Sequence, residues 1–154
     1  MDLNFSWTID GKLGGSRGPR SGSDLVSLKH MGVRALVRLV EPHESDLTPD
    51  DVRGAGLEDY NEAVRDFRAP TQAQIDRIIE YIDHHLDAGL PVGVSCNAGI
   101  GRSGVILACY FVHEGLTPNE ALERVRRKRG RGPEVPEQIE AIEDYWRRVN
   151  AVTR

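Results

Sequence analysis

Apolar residues recur along this chain with two spacings, which separate predicted strands from predicted helices. The runs at 35–40 and 91–95 are almost continuously apolar and contain several valines, which is typical of strands covered on both faces. Between them, apolar positions recur at helical spacing from Ile75 to Leu86. Thr71 is a suitable capping residue, so we predict a helix from there to about Ala88.

Turn and capping residues divide the rest of the chain. In the first half of the chain we predict a strand at 5–9, a turn at Asp10-Gly11, a loop from Gly14 to Gly22, and a helix from Ser23-Asp24 to Met31 that is stopped by Gly32. We then predict a short helix after Thr48-Pro49, a weak strand or turn at 60–64 and a loop at 65–70. In the second half we predict helices at 103–114, 118–129 and 136–150. This order predicts an α/β fold in which a central, mostly parallel, twisted sheet has helices on both faces.

The composition is that of one globular domain, which we assign to residues 1–154. Hydrophobic residues make up 39% and charged residues 29% of the chain. The net charge of −4 does not favour nucleic acid, and no apolar run approaches the roughly 20 residues that span a bilayer. The start of the chain lacks the pattern of a secretory signal, and two cysteines are too few for a disulfide framework. We therefore expect a cytoplasmic monomer without nucleic-acid or membrane partners.

The segment from Cys96 to Arg102 has the strongest chemical signal. It joins a predicted strand to a predicted helix, so backbone N–H groups can converge on an anion there. The predicted phosphate-binding residues are Cys96, Asn97, Ala98, Gly99, Ile100, Gly101 and Arg102.

Two side chains of this segment have predicted chemical roles. A cysteine in an anion cradle is held as a thiolate, so Cys96 is the candidate nucleophile. Arg102 offers two phosphate oxygens a planar fork, and a cation is disfavoured at a helix start unless an anion binds there. Cys109 lies inside an apolar helix and is expected to pack there.

The pattern Cys-x5-Arg-Ser between a strand and a helix resembles the signature of the protein tyrosine phosphatase superfamily. The chain is similar to its small, atypical dual-specificity branch from about residue 4 to 150. Four further stretches carry the resemblance: Asn4–Trp7 with Gly11–Leu13, Gly32–Val37 leading to the Glu41 region, Asp66-Phe67 before Pro70, and Leu107–Tyr110.

The resemblance implies further catalytic residues. Proton transfer to a leaving oxygen needs a carboxylic acid, for which the residues alone leave Asp66, Asp59, Glu62 and Glu58 open; the resemblance favours Asp66. Ser103 is expected to hydrogen-bond the sulfur, with a simple helix-capping role as the alternative. The resemblance also implies a polar residue that positions the hydrolytic water, which would be Glu134 or Gln138. Capping a helix is an equally suitable role for Glu134.

One position departs from the family pattern. The family normally has histidine immediately before the nucleophile, where this chain has Ser95, whose hydroxyl can hydrogen-bond but carries no positive charge. A phosphate-binding pseudophosphatase is therefore an alternative to an active enzyme.

The resemblance implies a metal-independent phosphomonoesterase without a cofactor. The expected substrate is phosphotyrosine in a phosphorylated protein, hydrolysed through a phosphocysteine intermediate, with phosphoserine and phosphothreonine as further candidates. Alternatives with the same chemistry are a phosphoinositide or an RNA 5′-phosphate, and a different class is sulfur transfer or arsenate reduction.

Two groups of basic residues receive a non-catalytic interpretation. The run Arg124, Arg126, Arg127, Lys128, Arg129 and Arg131 is expected to form a solvated helix face, with substrate steering as the alternative. The histidines at 30, 43, 84, 85 and 113 have no metal-ligand spacing, and His84-His85 are expected on a helix surface.

Overall fold

Five strands form one sheet in the computed structural model, which describes residues 2–151. They are β1 (Ser6–Ile9), β2 (Leu13–Arg17), β3 (Ala35–Arg38), β4 (Glu58–Asn61) and β5 (Val92–Cys96), in the spatial order β1-β2-β5-β3-β4. The β1–β2 pair is antiparallel and the other neighbouring pairs are parallel. The predicted mostly parallel sheet is confirmed. Met1 and residues 152–154 of the predicted domain lie outside the described residues.

Six α-helices accompany the sheet within residues 2–151. They are α1 (Gly22–His30), α2 (Pro49–Gly54), α3 (Gln72–Asp87), α4 (Arg102–His113), α5 (Pro118–Arg129) and α6 (Pro136–Ala151), with a 3₁₀ turn at Pro42–Glu44. Threonine hydroxyls at 48, 71 and 117 accept backbone N–H groups at the starts of α2, α3 and α5. The helices predicted from these signals are confirmed.

Apolar clusters cover both faces of the sheet. On one face, Leu25 and Leu28 of α1 and Val52 of α2 pack with Leu36. The other face carries the larger cluster, to which α3, α4, α5 and α6 contribute, and α4 is buried along nearly its whole length. Because both faces of the sheet are covered, β5 and α4 lie in the interior. The 96–102 segment, which has the strongest chemical signal, joins them.

The predicted loop at 14–22 is wrong. Residues 13–17 are β2, which pairs with β5 along its whole length and with β1 at residues 13–15. Gly14 and Gly15 give no hydrophobic pattern, yet a Cβ at Gly15 would lie 2.9 Å from Leu107 Cδ1, so the strand needs glycine for close packing. The following helix begins at Gly22, and its capping side chain is Ser21 rather than Ser23.

Two further predictions need correction. The strand expected at 60–64 lies at 58–61, because its register is set by pairing with β3. His85 is buried rather than on the surface, since its ring stacks 3.9 Å from Tyr81 and its Nε2 lies 3.1 Å from Glu58 Oε2.

Within residues 2–151, none of the helices has the length and apolar character needed to cross a bilayer.

Candidate active site

Strand β5 ends at Cys96 and helix α4 begins at Arg102, so the 96–102 loop lies at the carboxyl edge of the parallel sheet. Ligands of α/β sheets bind at this edge. The loop closes one end of a cavity of about 220 Å³, which is lined by Cys96, Asn97, Ala98, Ile100, Gly101 and Arg102 together with residues from two other segments.

The Cys96 side chain is buried beneath this loop at 2% exposure. The backbone N–H of Gly99 donates to its sulfur at 3.3 Å, and the Cys96 thiol donates to Ser103 Oγ at 3.3 Å. The Gly99 N–H and the start of α4 place positive dipole ends towards the sulfur. Cys109, in contrast, is buried within α4, and burial raises the pKa of its thiol far above the usual range.

Gly99 is required for the shape of the loop. Its φ is +79°, and a Cβ at this position would lie 2.4 Å from the carbonyl oxygen of Ser16. A side chain here would collide with the backbone of β2, so the loop could not keep this position.

The Arg102 guanidinium is held by partners from two distant parts of the chain. Its Nη1 and Nη2 donate to the two carboxylate oxygens of Glu44, both at 2.8 Å, and Nη1 also donates to the carbonyl oxygen of Val64 at 2.8 Å. Within residues 2–151, its Nε–H makes no hydrogen bond. The guanidinium is therefore fixed in place through its Nη atoms, while its Nε–H stays available for phosphate oxygens.

Glu44 is a site residue that the sequence analysis did not identify. It ends the 3₁₀ turn at 42–44, where it also accepts from the backbone N–H of Glu41 at 2.8 Å. The hydrogen bonds from Arg102 lower the pKa of Glu44 below its ordinary value, against the effect of burial. Several acidic residues occupy this part of the chain, and nothing in their spacing distinguishes the one that faces Arg102.

Replacing Glu44 by glutamine is expected to lower the free energy of unfolding at pH 7 by about 3 kcal/mol, because Arg102 keeps a buried charge without its partner. The folded-state pKa of Glu44 lies below its ordinary value of 4.5. The stability it contributes is therefore fully present above that pH and is lost as the pH falls through the folded-state pKa. Urea unfolding of both proteins from pH 7 to pH 3 measures this difference.

Glu123→Gln is the matched control, since Glu123 forms an exposed ion pair with Arg127. It is expected to change stability by less than about 0.5 kcal/mol. A Glu44→Gln penalty that stayed constant down to pH 3 would contradict the assigned ion pair.

Asp66 is the candidate carboxylate that reaches this cavity. Its Oδ1 lies 3.4 Å from Arg102 Nη2, and about half of its side chain is exposed. The rival carboxylates are engaged elsewhere: Asp59 with Arg38, Glu62 with Arg77, and Glu58 with His85.

The remaining predicted residues also gather at the cavity. Ser103 lies in the first turn of α4, whose capping residue is Gly101, so the simple capping role is excluded for Ser103. Glu134 lines the cavity mouth and is mostly exposed, 3.7 Å from Arg131. Gln138 also lines the cavity, but it is buried and packs against Gly101.

Arg129 does not lie on the solvated face predicted for the basic run. Its guanidinium is buried and donates to the carbonyl oxygens of Asn4, Gly15 and Gly99 and to Ser6 Oγ. Burial lowers the pKa of Arg129, and the nearby charge of Cys96 opposes this effect. No carboxylate within the described residues pairs with it, so Arg129 places buried positive charge beside the 96–102 loop.

Ser95 is buried behind the same loop. Within residues 2–151 its hydroxyl has no hydrogen-bond partner. It borders a small pocket that also touches Glu44 and Arg38. The positively charged side chains that interact electrostatically with Cys96 are therefore Arg102 and Arg129, whereas the residue before Cys96 carries no charge.

A family model, a curated relative and a solved structure that match this chain are all described as phosphatases or PTPs. A family model described as "Tc-R-P: Polymorphic toxin system, DSP-PTPase phosphatase" matches residues 16–116. The protein tyrosine phosphatase PRL-1 of Leishmania major is 31% identical over 134 residues, which cover 80% of this chain and 74% of that protein. The crystal structure of Tk-PTP in the active form superposes with a TM-score of 0.89 at 31% identity, covering 96% of this chain and 99% of the other.

Two longer plant proteins are also similar. The phosphatidylglycerophosphate phosphatase PTPMT1 of Arabidopsis thaliana is 32% identical over 126 residues, covering 80% of this chain but 37% of that protein. For PTPMT2 of the same plant, the matched part is 55% of the protein. The chain thus spans about half or less of the length of these relatives.

Proposed function

Since this chain belongs to the dual-specificity branch of the protein tyrosine phosphatase superfamily and is a phosphomonoesterase of that type, we propose that it hydrolyses phosphotyrosine in proteins through Cys96, without a metal ion. One observation carries the proposal: the Cys96 sulfur, the Arg102 guanidinium and the Asp66 carboxylate all line one cavity. A nucleophile, a fork for phosphate oxygens and a proton donor are thereby brought together.

In the first step, the Cys96 thiolate attacks phosphorus and forms an S–P bond as the P–O bond to the tyrosine breaks. Arg102 and the backbone N–H groups of the loop neutralise charge on the phosphoryl oxygens. The leaving phenolate oxygen takes a proton from the Asp66 carboxyl group, so that neutral tyrosine departs.

In the second step, water attacks the phosphocysteine and gives its proton to the Asp66 carboxylate. The P–S bond breaks, and the thiolate that leaves is stabilised by the Ser103 hydroxyl. The Oε1 atom of Gln138 has no hydrogen-bond partner within residues 2–151 and belongs to a residue that lines the cavity. This favours Gln138 over the exposed Glu134 for orienting the water.

Apolar surface around the cavity supports an aryl phosphate as substrate. Phe67, Ile100 and Val135 line the cavity, and Phe67 is 70% exposed beside Asp66. An aromatic ring attached to the phosphate can pack against such side chains. The loop positions Asn97, Ala98 and Ile100 carry no positive charge, which does not favour a polyphosphorylated headgroup.

A phospholipid monoester is the second candidate substrate, because the similar Arabidopsis protein is a phosphatidylglycerophosphate phosphatase. The same loop chemistry would act on its terminal phosphate. The difference between the two substrates lies in the leaving group, which is an alcohol in the lipid and a phenol in phosphotyrosine.

The deciding experiment compares phosphate release from a phosphotyrosyl peptide with release from phosphatidylglycerophosphate in detergent micelles, both in EDTA. We expect turnover of the peptide to survive chelation and to have the higher kcat/KM, because its aryl group fits the apolar wall. A higher kcat/KM for the lipid would assign the lipid instead. Phosphate binding without turnover of either would indicate a pseudophosphatase, and loss of turnover in EDTA would overturn the metal-free mechanism.

A further inference from the structure

The segment that carries Asp66, residues 65–70, is bonded to the first turn of α6. The Glu137 carboxylate accepts from Arg68 Nη1 at 2.7 Å and from the backbone N–H of Ala69 at 2.9 Å. The next residue of the helix, Gln138, donates through Nε2 to the carbonyl oxygen of Arg68 at 3.0 Å. We call residues 65–70 the acid loop.

Apart from these bonds, the acid loop contacts Arg102 through Asp66, whose Oδ1 lies 3.4 Å from Nη2, and packs on the core at its end, at Ala69 and Pro70. Asp66 and Phe67 are both more than half exposed, and Phe67 adopts a left-handed backbone conformation with φ +64°. The Asp66 carboxylate accepts from the Phe67 N–H, a contact within the loop itself. Segments with few buried apolar contacts are held mainly by their polar contacts, and the three hydrogen bonds to α6 are the main polar contacts of Arg68 and Ala69.

The same helical turn also contacts the 96–102 loop. Gln138 packs so closely on Gly101 that a Cβ there would lie 2.8 Å from Gln138 Oε1. The first turn of α6 thus touches the acid loop through Glu137 and the nucleophile's loop through Gln138. This turn therefore links the two loops.

We propose that Glu137 is a positioning residue that holds the acid loop over the 96–102 loop, so that the Asp66 carboxyl group stays within reach of the leaving oxygen. This proposal rests on the function assigned to Asp66 above. A carboxylate in the first turn of a helix also stabilises the helix alone. The hydrogen bonds from Ala69 and Arg68, which lower the pKa of Glu137, show that its charge is engaged by the acid loop as well.

The test compares two aryl phosphates whose leaving groups differ in basicity. Phenyl phosphate needs a proton on its leaving oxygen, whereas 2,4-dinitrophenyl phosphate does not. In Glu137→Ala we expect kcat for phenyl phosphate to fall about tenfold and kcat for the dinitrophenyl ester to change less than about twofold, since a misplaced acid affects only the basic leaving group. Competitive inhibition by inorganic phosphate should be unchanged, because the 96–102 loop is intact.

Three further variants complete the design. Asp144→Ala removes an exposed carboxylate of the same helix, paired with Arg147, and should change neither rate. Glu137→Gln keeps the shape and one acceptor oxygen, and an intermediate effect is expected. Asp66→Asn should lower the phenyl phosphate rate about 10²-fold, as loss of a general acid does, and should spare the dinitrophenyl ester.

The outcomes separate this inference from the proposed function. Equal loss on both esters in Glu137→Ala and Glu137→Gln, or no loss on either, would overturn the role of Glu137 if Asp66→Asn still discriminates between the esters. Failure of Asp66→Asn to discriminate would instead remove Asp66 as the general acid. Circular dichroism and thermal unfolding of each variant identify any loss of rate that comes from unfolding.

Discussion

Replacing Cys96 by serine is expected to reduce the hydrolysis of a phosphotyrosyl peptide by more than about 10⁴-fold, because a serine hydroxyl is a far weaker nucleophile than cysteine sulfur. The Gly99 N–H that donates to the sulfur cannot make an alcohol nucleophilic at neutral pH. Steady-state rates with and without EDTA measure the loss.

Binding of phosphate should survive this substitution. Arg102 and the backbone N–H groups of the loop do not depend on the sulfur, so the variant is expected to bind vanadate or inorganic phosphate with an affinity within about tenfold of the wild type. Titration calorimetry measures this affinity. Retained binding with lost turnover would locate the defect in the chemical step.

Cys109→Ser is the matched control, because this second cysteine is buried in α4 and its thiol stays protonated. Its catalytic rate should stay close to that of the wild type, and iodoacetamide should modify Cys96 but not Cys109 in the folded wild-type protein. If Cys109→Ser lost as much activity as Cys96→Ser, or if Cys96→Ser kept activity, the assignment of the nucleophile would be wrong.

Replacing Arg102 by lysine is expected to lower kcat/KM about 10³-fold, comparable to the loss of a preorganised donor to the transition state. The ammonium group of lysine is a point charge and cannot hold the two oxygens of Glu44 and two phosphate oxygens at once. The guanidinium can do both, since its Nη atoms contact Glu44, its Nε–H makes no hydrogen bond within the described residues, and Arg102 lines the cavity.

This loss should appear in binding as well as in turnover. The inhibition constant of inorganic phosphate is expected to rise by at least about tenfold, because a bidentate contact is lost. Arg148→Lys is the control, as Arg148 forms an exposed pair with Asp76 and should leave both quantities unchanged. An Arg102→Lys variant that kept kcat/KM within tenfold of the wild type would show that charge alone suffices at this position.

The helices that could be predicted from the sequence are those with local signals. For α3, the capping hydroxyl of Thr71 and the spacing of Ile75, Ile78 and Ile82 are both encoded within one stretch of chain. Strand β2 has no such signal, because Gly14 and Gly15 have no side chain to show a pattern. Its structure follows from pairing with β5, which is about 80 residues away in the chain.

The residues of the candidate site also separate into those that local sequence signals identify and those that only tertiary contacts identify. Cys96 and Arg102 could be identified because the chemistry needs them six positions apart in one strand–loop–helix segment. Asp66 could be ranked above its rivals through the family resemblance, and the structure brings it to within 3.4 Å of Arg102.

Glu44, Arg129 and Glu137 acquire their roles through contacts that join distant parts of the chain: Glu44 to Arg102, Arg129 to Gly99, and Glu137 to the acid loop. By itself, the sequence determined the helices, the α/β class and the segment that carries the nucleophile, because each depends on residues that are close in the chain. Only the tertiary structure decided which charged residues surround that segment. A charge can be buried only where partners from other elements satisfy it, and those partners meet only in the folded chain.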